Sequence, residues 1–75
     1  MYQIRRVAEI ICDKYDAPIT IDEKSKIWAE TGTDGKIFIK LLAVDGYVYA
    51  FAETYNKDIA DGILYEINTE IADLA

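Results

Sequence analysis

Histidine is absent from this chain, cysteine occurs once, at Cys12, and proline once, at Pro18. Without histidine, the side chain most often used for proton transfer near neutral pH is missing. A lone cysteine can close no internal disulfide and form no paired-thiolate metal site, and Cys12 reads as a small half-buried helix residue. No glycine-rich phosphate loop and no aspartate-rich calcium loop is found in the 75 residues. No cofactor and no metal is therefore expected. The carboxylate pairs Asp22-Glu23 and Asp58 with Asp61 have no pocket that would shift a pKa, so they read as surface acids and the chain as a non-enzyme.

Long apolar runs are missing too: no segment approaches the roughly 20 uninterrupted apolar residues of a membrane span. The opening Met1-Tyr2-Gln3-Ile4-Arg5-Arg6-Val7-Ala8-Glu9 mixes charge with apolar residues at helical spacing, unlike a signal peptide. A cytoplasmic protein with no membrane contact is the expectation, and the single cysteine agrees with a reducing compartment. What the chain does have is apolar mass, since 52% of its residues are hydrophobic. That suffices for one core, and the length allows one domain over residues 1–75, with any function placed on its surface.

Residues Ile4, Val7, Ala8, Ile11 and Tyr15 recur at steps of three and four, which predicts a first helix from about residue 3 to 15. Asp16-Ala17-Pro18 ends it, because the residue before proline avoids helical geometry. Ile19-Thr20-Ile21 alternates briefly and could form a short edge strand. Three strands are predicted at Lys26 to Thr31, Lys36 to Ala43 and Tyr47 to Glu53, separated by Thr33-Asp34-Gly35 and Asp45-Gly46. A last helix follows Asn56, a favourable N-cap residue, with Ile59, Ile63, Ile67, Ile71 and Leu74 as its buried stripe. The fold class is α+β: an α-β-β-β-α chain forming a three-stranded antiparallel meander, with both helices packed on one face.

Turn chemistry predicts the register. A two-residue turn at Asp45-Gly46 pairs Val44 with Tyr47 and Lys40 with Phe51. The helix-covered face then carries Ile37, Ile39, Leu41, Ala43, Val48, Ala50 and Ala52. A three-residue loop at Thr33 to Gly35, with Gly35 left-handed, adds Ile27 and Ala29 to that side and sends Trp28 and Glu30 to the other. Trp28, Phe38, Lys40, Tyr47, Tyr49 and Phe51 then share the uncovered face, a candidate surface for a partner or a dimer.

Charge is unevenly spread. Residues 1–57 hold nine acids and eight bases, whereas residues 58–75 hold five acids and no base, so nearly all of the net charge of -6 belongs to the last helix. At 100° per residue Asp58, Asp61, Glu66, Glu70 and Asp73 fall within one half of that helix, opposite the isoleucines. Glu70 and Asp73 also crowd the negative end of the helix dipole, which helix stability alone does not favour. Acids three or four apart are spaced about 4.5–6 Å in rise, comparable to phosphates along a strand.

The α-β-β-β-α order resembles the double-stranded RNA-binding domain, whose last helix opens with a phosphate-gripping lysine cluster. Here that position reads Asn56-Lys57-Asp58-Ile59-Ala60-Asp61, with a single lysine, so direct nucleic-acid binding is not expected. The same order with an acidic surface resembles small phage-encoded inhibitors, anti-CRISPR proteins among them, and that likeness implies occupation of a nuclease's nucleic-acid channel. It rests on architecture and charge, with no motif. The preferred reading is thus a non-catalytic protein-binding module that inhibits a nucleic-acid-handling protein by mimicry through the acidic helix. The alternative is a small homodimeric structural or assembly protein that associates through the aromatic sheet face.

Overall fold

The computed structural model describes residues 3–75. Val7 and Ile11, one turn apart, are both fully buried and anchor α1, Ile4–Tyr15, to the core. Asp16 ends the helix in the left-handed region, at φ 53°, two residues before Pro18. The strands are β1, Lys26–Thr31, β2, Ile37–Leu42, and β3, Val48–Thr54, followed by α2, Lys57–Asp73. They form one antiparallel meander in the order β1-β2-β3. Val7 and Ile11 of α1 and Ile63, Ile67 and Ile71 of α2 join Ile27, Ile37, Ile39, Leu41 and Phe51 of the sheet in a single core. The α+β fold with both helices on one sheet face is therefore as expected.

The first hairpin also follows the sequence. Gly32 N–H donates to Lys36 O at 2.8 Å, enclosing the three-residue loop 33–35, and Gly35 takes φ 88°. Ile27 faces Leu41, Ala29 faces Ile39, and Trp28 faces Lys40 on the opposite side.

The second hairpin departs from the expected register. Ala43 N–H donates to Tyr47 O at 3.0 Å, so the loop is the three residues Val44, Asp45 and Gly46, with Gly46 at φ 86°. Lys40 consequently faces Ala50, Leu41 faces Tyr49 and Leu42 faces Val48. A bulge at Phe51 then restores the expected pairing, Ile39 with Ala52 and Phe38 with Glu53. Hydrophobic burial explains the slip. A straight two-residue hairpin would place Val48 and Ala50 under the helices and Phe51 in water. The bulged one leaves Val48 49% exposed and buries Phe51 to 5%, and a phenyl ring removes far more apolar area from water than a methyl group.

Two smaller expectations are also revised. Ile19-Thr20-Ile21 forms no strand. Ile19 and Ile21 pack against the core, and Thr20 C=O accepts the Val44 amide at 3.1 Å, a single bond where a ladder needs several. In α2 the buried positions are Ala60, Ile63, Ile67 and Ile71, while Ile59 and Leu74 are about half exposed. The side chain of Asn56 accepts from the Asp58 and Ile59 amides as an N-cap, and that start orients the helix so that Ala60 faces inward.

Candidate interaction surfaces

Alternation along the strands places Lys26, Trp28 and Glu30 of β1, Phe38, Lys40 and Leu42 of β2, and Val48, Ala50 and Glu53 of β3 on the face that neither helix covers. Apart from Lys26, its charges pair with one another. Lys40 Nζ lies 2.9 Å from Glu30 Oε2, and the Trp28 indole N–H donates to that same oxygen at 3.0 Å. Lys36 Nζ lies 3.6 Å from Glu53 Oε1 and sits near the rings of Phe38 and Tyr55, 5.9 and 5.7 Å from their centroids. The result is a half-buried pair of aromatics, Trp28 and Phe38, continuing into Leu42 and the exposed Val48, with paired charges among them.

The bonds from Lys40 and then Trp28 hold the Glu30 carboxyl below its ordinary pKa. A carboxylate depressed in the folded state stabilises the fold above its unfolded pKa, and that contribution is lost as pH falls through the folded value. The thermal midpoint should thus decline between about pH 5 and pH 3 more steeply in the wild type than in Glu30→Gln. Parallel declines in the two proteins would show that Glu30 contributes nothing.

Three of the six side chains expected on this face are elsewhere. Phe51 is in the core. Tyr49 turns to the helix side, where its ring meets Tyr15 edge-on with centroids 5.2 Å apart and its hydroxyl donates to Asp45 Oδ2 at 2.8 Å, which raises the pKa of the phenol. Tyr47 pairs with Ala43 at the hairpin end and by alternation points to the helix side as well, beyond the helices, where it is exposed. All three corrections follow from the longer loop and its bulge. Val48 and Ala50, which replace Tyr49 and Phe51 on the open face, are the residues sequence reasoning missed. Their signal is the gain from burying Phe51, which a turn rule does not weigh.

The five acids of α2 are also partly engaged. Lys57, one residue outside the base-free stretch, pairs with Asp61 at 3.0 Å, an i,i+4 pair that raises the pKa of the lysine. One of the five acids thus has a basic partner on its own helix, although residues 58–75 hold no base. Glu70 Oε2 accepts the Ile4 amide of α1 at 3.2 Å. α1 has no side-chain N-cap of its own, so a carboxylate from α2 serves its positive end. That gives Glu70 a structural reason for its position. Asp58, Asp61 and Asp73 are exposed, and Glu66 is half-buried.

Between the loop before β1 and the second hairpin runs a groove of about 230 Å³ lined by Asp22, Lys24, Ser25, Leu42, Ala43, Val44 and Gly46. It is smaller than the roughly 300–1,000 Å³ of ordinary ligand pockets. Among the described residues no cluster of three or more metal-ligating side chains occurs, and no helix is long and apolar enough to cross a membrane. Comparison with family models, curated proteins and solved structures finds no match to this chain.

Proposed function

We propose that the chain is a non-catalytic protein-binding module that meets its partner through the helix-free face of the sheet. The observation behind this reading is that Trp28, Phe38, Leu42 and Val48 lie on one face of the sheet that neither helix covers. Aromatic anchors surrounded by satisfied polar groups are the usual composition of a binding hot spot. Lys36 and Lys40 neutralise Glu53 and Glu30, so contact here does not require a basic partner, although the chain as a whole is acidic.

A second reading keeps the acidic helix as the working surface, with the chain inhibiting a nucleic-acid-handling protein by mimicry. It is favoured by the exposure of Asp58, Asp61 and Asp73 in a stretch that contains no base. It ranks second because Asp61 and Glu70 already have partners within the fold. Affinity for a captured partner separates the two readings. Trp28→Ala combined with Phe38→Ala should weaken binding about a hundredfold with little dependence on salt. Changing Asp58, Asp61 and Asp73 to asparagine should alter it less than about twofold, since exposed charges mainly affect association rates. The reverse pattern, with affinity falling steeply between about 50 and 200 mM salt and with DNA or RNA competing, would transfer the function to the helix.

A further inference from the structure

We propose that β1 pairs with β1 of a second copy of this chain, antiparallel and about a twofold axis at Trp28, joining two three-stranded sheets into one of six strands. The two edges of the sheet are built differently. The β3 edge is broken by the bulge at Phe51, and its outward Ala50 groups are occupied: the Ala50 N–H donates to the Tyr15 hydroxyl at 3.2 Å, and the Ala50 C=O accepts from that hydroxyl at 3.1 Å and from Lys14 Nζ at 3.0 Å. The β1 edge has no bulge and no proline. The Gly32–Lys36 bond fixes the alternation, so Trp28 and Glu30 bond to β2 while the main-chain groups of Ile27, Ala29 and Thr31 point outward. Among the described residues nothing bonds to those groups. An open, regular edge of this kind is a template for another strand.

The side chains of β1 select both the occupant and the register. Outward groups meet across a twofold axis only where odd-numbered residues face odd-numbered ones. Centred on Trp28, the pairing sets Ile27 opposite the partner's Ala29 and Lys26 opposite the partner's Glu30, and repeats both pairs through the symmetry. Lys26 is exposed and has no ion pair among the described residues, and Glu30 uses Oε2 for both Lys40 and Trp28, leaving Oε1 available. The two indoles then face each other at a non-hydrogen-bonded site, where cross-strand side chains are closest. Centring on Ala29 instead sets Trp28 against the partner's Glu30 and removes both ion pairs. Centring on Glu30 opposes two carboxylates.

The helices tolerate this arrangement. Glu70 reaches α1, which places it and Glu66 on the flank of α2 away from the β1 edge. At 100° per residue the flank over that edge carries Leu64, Asn68 and the bonded Lys57–Asp61 pair, so two neighbouring α2 helices present no unpaired acid to each other. The pairing does not rest on the partner-binding reading above, because it uses the main-chain groups of the strand edge; the two open faces join into one surface with the Trp28 indoles meeting at its centre.

The isolated protein supplies the test. Sedimentation equilibrium from about 10 µM to 1 mM should show a monomer–dimer equilibrium, in keeping with a contact smaller than a standard interface. Exchange of the Ile27 and Ala29 amides should slow about tenfold across that range. Lys26→Glu, which opposes two carboxylates at each end of the joint, should weaken the dimer about tenfold. Ala29→Pro removes an outward N–H without breaking a bond to β2 and should abolish it. In a Cys12→Ser background, Trp28→Cys should oxidise to a covalent dimer, because facing Cα atoms at such a site lie about 4.5 Å apart; Ala29→Cys should not. A protein that is monomeric at 1 mM with freely exchanging Ile27 and Ala29 amides overturns the proposal. So does a dimer of unchanged affinity in Lys26→Glu, or one cross-linked by Ala29→Cys and not by Trp28→Cys. Should Ala29→Pro fail to fold, the exchange and charge-reversal measurements decide alone.

Discussion

Phe51→Ala should destabilise the protein by about 3–5 kcal/mol, and Val48→Ala by less than about 0.5 kcal/mol, when both are measured by urea unfolding followed by circular dichroism. The reason lies in the bulge. Phe51 is the extra residue of β3 and fills the core beneath the helices, whereas Val48, three positions earlier, stands on the open face beside Leu42. A single core in a chain this short rarely supplies more than about 3–5 kcal/mol, so the Phe51 variant should be largely unfolded at 25 °C without denaturant. A straight hairpin would reverse the result, because Val48 would then be the buried residue and Phe51 the exposed one. Comparable small effects from both substitutions would mean that neither register holds.

The second large effect belongs to α2. Ile67 is completely buried, and Ile67→Ala should cost about 2–5 kcal/mol. Ile59→Ala should change stability by less than about 0.5 kcal/mol and can even raise it, since alanine is the better helix former and little buried area is lost. The contrast reports the rotation of the helix, because both residues belong to the same isoleucine series and only the face assignment separates them. Equal losses at the two positions would mean that the helix is rotated by about 40°, roughly a ninth of a turn, from where the structure has it.

Local rules carried most of the fold. Asn56 followed by a helix, Pro18 after one, Gly35 in a three-residue loop and the alternation of Ile37, Ile39 and Leu41 each depend on a few neighbouring residues, and each is found as the sequence implies. Where the reading failed, the deciding energy was non-local. Asp45-Gly46 is a favourable two-residue turn, yet the loop opens to three residues because Phe51, five positions away, gains more by entering the core than the turn loses. That one slip moved Tyr47, Tyr49 and Phe51 off the candidate face while leaving Trp28, Phe38 and Lys40 on it. Ile59 looked buried because a stripe at steps of four drifts around the helix by 40° each time. Glu70 looked purely electrostatic because its acceptor role involves Ile4, which is 66 positions away.

The hydroxyl of Tyr15 recognises only main-chain atoms, the N–H and C=O of Ala50. Every amino acid except proline offers those same two groups, so this tie between α1 and β3 does not depend on which side chain occupies position 50. Position 15 has no such freedom, because the reach and the hydroxyl are both required there. The bond therefore constrains one site and leaves its counterpart open to drift. Two residues joined this way exchange no compensating substitutions, and a search for covarying pairs would miss the contact that closes the third strand's free edge.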